Sequence, residues 1–166
     1  MLPDEIREKI ALFTNVPIEA VISALDVSEI YEIPLYYHRQ GLDKTLLSLL
    51  RLDSRNYDIS RWEKVVENMK NPEGEVTVGI VGKYVEYHDS YKSLAEALKH
   101  AGLPHRLKVR LQWIESENFE KDPSSLKVLE GVDAVLVPGG FGKRGIEGMV
   151  LAVKYARERD IPFFGI

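Results

Sequence analysis

The sequence contains no cysteine among its 166 residues. This absence excludes a disulfide framework, a thiolate metal site and a thiol nucleophile within these residues. No apolar run approaches the length of about 20 residues that a membrane-spanning helix needs. The first ten residues carry acidic and basic side chains where a signal peptide would have an apolar segment. We therefore expect a cytoplasmic protein that does not associate with membranes.

The sequence also lacks an excess of positive charge. Its 22 Lys and Arg residues are outnumbered by 26 Asp and Glu residues, which gives a formal net charge of −4. Because the basic residues are scattered among acidic ones, no basic stripe is present, and we expect no nucleic-acid partner. The four histidines have no metal-ligand spacing such as His-Glu-x-x-His, so we predict no metal site in this chain.

Hydrophobic residues make up 45% of the chain, which is enough for a buried core without staples. The first fifty residues predict helices joined by a short connection, in which the apolar residues 20–24 could form a strand. Residues 51–75 are polar and carry one helix, so we interpret them as an interdomain linker. The predicted domains are therefore residues 1–50 and 76–166, on either side of that linker.

A regular alternation of strand and helix follows residue 75. Apolar runs predict four strands, at residues 76–82, 106–114, 134–140 and 161–166. Helical patterns lie between them at residues 90–102 and 145–160. Such alternation is typical of an α/β fold with an open, mostly parallel sheet covered by helices on both faces.

The two predicted helices have distinct signals. Gly102 stands where the first helix would end with a glycine cap of positive φ. The second helix carries four apolar residues that its periodicity places toward the core, namely Ile146, Met149, Val150 and Val153.

The segment "VLVPGGFGKRG", residues 135–145, places two adjacent glycines at the carboxyl end of the third predicted strand. Ligands of open parallel sheets gather at this end, and without side chains Gly139 and Gly140 would let backbone amides reach an oxygen atom. The alternative interpretation is a tight turn that needs positive φ. The segment is neither a Walker A loop, because no Ser or Thr follows Lys143, nor a GxGxxG fingerprint.

Several motifs together resemble the CTP synthase family. "GIVGKY", "DSYKSLAEALKHAG", "VPGGFGKRGIEGM" and "YARERDIPFFGI" resemble the start of its class I glutaminase domain. "LPDEIREKIALFTNVPIEAVISALDVSEIYEIPLYYHRQGLD" resembles the last part of its amidoligase domain. The resemblance implies an incomplete, flavodoxin-like, three-layer glutaminase sheet preceded by the helical tail of a Rossmann-like amidoligase domain. Thr14 departs from the family, in which many members have cysteine after "ALF".

The resemblance implies an enzyme that forms CTP from UTP, using ATP with Mg²⁺ and ammonia released from glutamine. It further implies GTP as activator, CTP as inhibitor and a homotetramer. The family's nucleophilic cysteine, in "GICLG", would follow Ile166, so we expect no catalytic residue in this chain and no activity from it alone. We also expect no cofactor to be bound wholly by this segment.

The resemblance carries over to individual residues. Gly140 matches the glycine that contacts glutamine and whose neighbourhood supplies an oxyanion-hole amide. The other matches are Lys9 for UTP or CTP, Leu25, Asp26 and Val27 for the adenine of ATP, and Arg144, Gly145 and Glu147 for a lid linked to GTP activation. Without the resemblance, Lys9, Arg144 and Glu147 would be solvated helix charges and Asp26 a turn residue. Lys83 and Lys92 match family lysines and are candidates for an interface or regulatory role.

Two alternatives remain open from the sequence. The first is a glutaminase-like binding or regulatory module, which would lack a nucleophile. The residue that follows Ile166 in the parent gene distinguishes it from the enzyme: cysteine supports the enzyme, and any other residue supports the module. A glutaminase serving a different amidotransferase would have no nucleotide-binding region before Val76, and the match of residues 9–43 argues against it.

Overall fold

The structure is a computed structural model that describes residues 1–53 and 58–166. Within them the chain forms two compact units, Met1–Glu67 and Asn68–Ile166. The domain boundaries expected at residues 51 and 76 stay predictions, and residues 54–57 of the expected linker lie outside the described residues.

Helices are the regular structure of the described part of the first unit, and they are joined by turns and irregular stretches. Its helices are α1 (Asp4–Thr14), α2 (Ile33–Arg39), α3 (Leu42–Leu49) and α4 (Ser60–Lys70), with 3₁₀ turns at Ile18–Ala20 and Ile30–Glu32. The indole N–H of Trp62 donates a 2.8 Å hydrogen bond to the carbonyl of Tyr31, which attaches α4 to the turn before α2. The helical tail expected for this part of the chain is thus present.

The strand expected at residues 20–24 is wrong. Ala20 ends the first 3₁₀ turn, and residues 21–24 follow it without regular structure. Side chains satisfy their backbone groups where a neighbouring strand would otherwise do so. The amide group of Gln40 bonds both the N–H of Ser23, at 2.8 Å, and its carbonyl, at 2.9 Å. The guanidinium of Arg7 donates to the carbonyls of Ile18 and Val21.

The second unit alternates strands and helices. Its elements are β1 (Gly74–Gly82), α5 (Lys92–Gly102), β2 (Leu107–Glu115), α6 (Glu117–Lys121), β3 (Ala134–Val137), α7 (Ile146–Glu158) and β4 (Phe163–Gly165), with 3₁₀ segments at His88–Tyr91, Leu103–His105 and Pro123–Gly131. The four strands form one sheet in the order β2-β1-β3-β4, and every pairing is parallel. The expected α/β fold with four strands is confirmed.

Helices cover both faces of the sheet because β1 and β3 are central strands whose side chains alternate between two cores. On one face Val78, Ile80 and Leu136 pack with Leu94 and Leu98 of α5. On the other face a larger core joins β-strand residues to α6, α7 and the segment between β2 and β3; its members include Val81, Ile114, Phe119, Leu129, Val135, Ala152, Tyr155 and Ala156. Each fully buried aliphatic side chain of this kind contributes about 1.5–3 kcal/mol.

The inward face of α7 differs from the prediction. Ile146 and Val150 are 41% and 54% exposed, and the buried residues of the helix are Gly148, Ala152, Tyr155 and Ala156. A Cβ atom at Gly148 would overlap the carbonyl oxygen of Ser116, so the first turn of the helix approaches residue 116, just after β2, too closely for any side chain at position 148. The face that packs inward is therefore set by this close contact, which a hydrophobicity pattern does not register.

The cap expected at Gly102 is also wrong. Gly102 has φ −71° and is the last residue of α5, and the chain continues into the next 3₁₀ turn. Arg106 takes the left-handed conformation instead, with φ 55°. Glycine is required at position 102 by space, because a Cβ atom there would lie 2.6 Å from the carbonyl oxygen of Leu107.

Candidate functional site

The candidate site lies where the carboxyl ends of β1 and β3 meet. These strands are neighbours, with Ile80 aligned to Leu136. The chain leaves β1 for β2 on one side and returns to β3 on the other, so this position is the topological switch point at which open α/β sheets bind ligands. Residues 138–145, between β3 and α7, are called the glycine loop below.

The paired glycines of the loop lie beside the end of β4. A Cβ atom at Gly139 would be 3.7 Å from the carbonyl oxygen of Ile166, whose own N–H donates a 3.0 Å hydrogen bond to the carbonyl of Val137. Both Gly139 and Gly140 are exposed. Across residues 1–53 and 58–166, no group accepts a hydrogen bond from either glycine amide. Two backbone donors are thus available next to the segment that follows β4.

Turn geometry does not explain the glycine pair. Positive φ occurs in the loop at Gly142, 84°, and at Gly145, 71°, whereas Gly139 and Gly140 have ordinary φ values. The alternative interpretation of the pair as a positive-φ turn is therefore wrong. What the pair provides is a main chain without side chains between Ile166 and Lys83, both of which lie within 4 Å of where a Cβ atom would be.

A buried lysine supports the glycine loop from below. Lys83 follows β1 directly and is only 5% exposed. Its ammonium donates hydrogen bonds to the carbonyls of Phe141, at 2.6 Å, and Gly142, at 3.4 Å. Its Cε lies 3.3 Å from where a Cβ of Gly140 would be. The loop is wrapped around this side chain.

Tyr91 fixes the main chain of the same lysine. Its hydroxyl donates a 2.6 Å hydrogen bond to the carbonyl of Lys83, and its ring lies 5.5 Å from that of Trp113. Burial, with a smaller contribution from the charge of Glu115, raises the pKa of the Tyr91 hydroxyl, so it stays protonated as a donor at neutral pH.

The far end of the glycine loop is attached to α6. Arg144 forms an ion pair with Glu117, and its guanidinium carbon lies 4.6 Å from the centre of the Tyr84 ring. The N–H of Gly148 donates a 3.1 Å hydrogen bond to the carboxylate of Glu120. An acidic side chain at a helix start both accepts from the amides without intrahelical partners and complements the helix dipole.

Two family profiles match the chain. "CTP synthase N-terminus" matches residues 1–52, and "Glutamine amidotransferase class-I" matches residues 86–166. CTP synthases of Acidobacterium capsulatum and Zymomonas mobilis are 56% and 54% identical to it, in each case across 99% of this chain. The chain belongs to the CTP synthase family.

A solved structure supports the same assignment for the CTP synthase sheet. The structure described as "Trypanosoma brucei CTPS - glutaminase domain with bound acivicin" superimposes with a TM-score of 0.51 at 34% identity, over 54% of this chain and 35% of that chain. The chain spans about 30% of the length of the two CTP synthases named above.

The second unit gathers the glutaminase-side residues that the CTP synthase resemblance singled out. Gly140, Arg144 and Gly145 lie in the glycine loop, and Glu147 lies exposed in the first turn of α7. Gly145 is buried. A Cβ atom at this position would overlap the hydroxyl of Ser116, so the contact requires glycine. Arg144 is not a simple solvated charge, since it has both an anionic and an aromatic partner.

The nucleotide-side residues lie in the first unit. Lys9 is exposed on α1, and Leu25 and Asp26 are exposed in the stretch without regular structure, with Val27 half-buried beside them. Among the described residues no hydrogen bond or ion pair joins Lys9 to Leu25, Asp26 or Val27.

Sequence reasoning missed the buried role of Lys83 and the contributions of Ser116, Glu117 and Glu120. A partial signal existed for Lys83 alone, because it directly follows a predicted strand and thus lies at the carboxyl edge of the sheet, where ligands bind. Nothing in the sequence around Ser116 indicated that the start of α7 would pack against the end of β2.

Residues 1–53 and 58–166 contain no group of three or more His, Cys, Asp or Glu side chains placed to hold a metal ion. None of the helices described is both long and apolar enough to cross a bilayer.

Proposed function

We propose that this chain is the junction segment of a CTP synthase, an enzyme that forms CTP from UTP with ATP and with ammonia released from glutamine. In this proposal residues 1–50 end the amidoligase domain, residues 51–75 link the domains and residues 76–166 begin the glutaminase domain. The family assignment and the match of both profiles in the expected order support it.

The glutaminase step is supported by the position of the glycine pair. The amides of Gly139 and Gly140 are unbonded within the described part of the chain and lie beside Ile166, at the end of β4. A cysteine following Ile166 would present its thiolate next to these donors, in the sharp strand-to-helix turn typical of such nucleophiles. This adjacency is the observation on which the proposal rests.

The chemistry then follows from the donors. Thiolate addition to the glutamine carboxamide places negative charge on the carbonyl oxygen, and loss of ammonia leaves a thioester that water hydrolyses. Backbone N–H groups in place before the reaction stabilise that oxyanion without reorganising, and one such donor typically contributes about 3–4 kcal/mol. We assign this role to Gly140.

The remaining assignments are part of the same proposal. Lys9 contacts the triphosphate of UTP or of inhibitory CTP, and residues 25–27 line the adenine of ATP. Arg144, Gly145 and Glu147 belong to a lid that responds to GTP, and the ion pair of Arg144 with Glu117 supports a structural link between this segment and α6. The assembled enzyme is a homotetramer that uses Mg²⁺ with ATP.

The test uses the full-length parent protein. Purified parent should form CTP from UTP and ATP with either glutamine or ammonia as nitrogen donor, and mutation of the cysteine expected after Ile166 should abolish only the glutamine reaction. Residues 1–166 alone should release no ammonia from glutamine, because they contain no thiol. A parent with another residue after Ile166, or one that makes no CTP, would support the binding-module alternative.

A further inference from the structure

Lys83 is the one buried lysine among the described residues, and the proposed mechanism does not use it. Its ammonium contacts two successive carbonyls of the glycine loop, those of Phe141 and Gly142. A positive charge is retained in a buried place when several oxygen atoms surround it. Here those oxygens come from the loop main chain, so the charge and the loop conformation depend on each other.

The contact of the ammonium with the two carbonyls also fixes the direction of the N–H groups in the same peptide bonds. In a trans peptide the carbonyl and the following N–H point in opposite directions. Because the carbonyls of Phe141 and Gly142 point at the ammonium, the N–H groups of Gly142 and Lys143 point away from it. The same lysine stem lies 3.3 Å from the Cβ position of Gly140 and 3.4 Å from that of Gly145, so it supports the loop at both ends.

We propose that Lys83 is a positioning residue for the glutaminase reaction: its ammonium, between β1 and the glycine loop, fixes the loop so that the Gly140 amide faces the carboxamide oxygen. This inference rests on the function proposed above. Arg144 attaches the far end of the loop to α6, whereas among the described residues the Lys83 ammonium makes the only hydrogen bonds to residues 139–142. Without the ammonium, the peptide carbonyls of Phe141 and Gly142 would be free to rotate.

The experiment compares Lys83→Met with Lys127→Met in the full-length parent. Methionine keeps an unbranched apolar stem of similar length and removes the charge and the donors. Lys127 is an exposed lysine in the 3₁₀ segment between α6 and β3, has no assigned role, and serves as the matched control. For each variant, kcat and KM are measured with glutamine and, separately, with ammonia.

Loss of positioning should lower kcat for the glutamine reaction by about 10²-fold, the effect typical of losing one oxyanion donor. The KM for glutamine should change little, and ammonia should sustain CTP formation within about twofold, since ammonia bypasses the loop. Lys127→Met should match the wild type in both reactions. A glutamine kcat of Lys83→Met within about twofold of wild type would overturn the proposal.

A second measurement does not depend on activity. Trypsin cleavage after Lys143 and Arg144 reports how often the loop opens, because proteolysis tracks the open population. Lys83→Met should be cleaved about tenfold faster there, at an unchanged urea midpoint. Equal cleavage rates would overturn the positioning role. If the wild-type parent makes no CTP from glutamine, the proposed function fails, while the cleavage rates still decide whether Lys83 holds the loop.

Discussion

Gly148 lies against the main-chain carbonyl of Ser116 so closely that a Cβ atom would overlap its oxygen. Gly145 has the same relationship to the Ser116 hydroxyl. Two glycines one turn apart thus receive one serine, whose own N–H is held by the carbonyl of Gly82 at 2.8 Å. This arrangement docks the start of α7 onto the carboxyl ends of β1 and β2, and it thereby fixes where the glycine loop ends.

Gly148→Ala should destabilise the second unit by about 1–3 kcal/mol, because the added methyl group forces the backbones apart. Helix propensity alone predicts the opposite sign, a gain of about 1 kcal/mol. Each unit contains one of the two tryptophans, so urea unfolding of the second unit can be followed by Trp113 fluorescence in a Trp62→Phe background.

Gly131→Ala is the matched control for this experiment. A Cβ atom at Gly131 would meet nothing within 4 Å, and its φ is not positive. We expect its free energy of unfolding to stay within about 0.5 kcal/mol of the wild type. If both alanine variants unfolded at the same urea concentration, the close approach of α7 to Ser116 would be refuted.

Gly140→Ala should separate activity from stability. The nearest atom to the new methyl group is the Cε of Lys83, at 3.3 Å, the end of a side chain that can move by a few tenths of an ångström. The change in unfolding free energy should therefore stay below about 1 kcal/mol. In the full-length parent, glutamine-dependent CTP formation should nonetheless fall about 10²-fold, because the contact of the methyl group with the Lys83 stem shifts the Gly140 amide from its place facing the carboxamide oxygen. Gly131→Ala is the control for this experiment. It should match Gly140→Ala in stability but keep full glutamine-dependent activity.

The sequence was sufficient for the strands and the sheet class, because continuous apolar runs such as residues 76–82 report strands buried on both faces. It was insufficient where a contact joins distant residues. Gln40 satisfies the backbone of Ser23 from 17 positions away, and this pairing replaced an expected strand. The glycine pair was located from its place after β3. The lysine beneath it required knowing which strand lies beside β3.

The Arg144–Glu117 pair should contribute little to stability, although it joins the glycine loop to α6. Arg144 is about half exposed, and ion pairs of that kind contribute about 0–1 kcal/mol. A double-mutant cycle with Arg144→Met and Glu117→Gln should give a coupling energy of about 0.5 kcal/mol that diminishes at 1 M salt.

The exposed pair Lys64–Glu67 on α4 provides the comparison for that cycle. It joins residues three positions apart on one helix, so its coupling should be smaller and should not affect trypsin cleavage in the glycine loop. A cycle for Arg144–Glu117 that gave no coupling at low salt would show that the pair does not hold the loop.

Acidification should destabilise the first unit through Asp43. Burial acts to raise the pKa of this carboxyl, but the 2.7 Å hydrogen bond with His38 and further backbone hydrogen bonds together lower it below its ordinary 3.8. A carboxyl whose folded-state pKa is lowered contributes stability that is present above pH 3.8 and is lost as the pH falls through the folded-state value.

Trp62 fluorescence in a Trp113→Phe background, recorded during urea unfolding between pH 6 and pH 2.5, should show this loss. Asp43→Asn should flatten the dependence of the unfolding free energy on pH below about pH 4. Asp26→Asn changes an exposed carboxylate and should give the same dependence as the Trp113→Phe protein. Parallel profiles for all three proteins would mean that the His38–Asp43 contact makes no difference to the acid stability of this unit.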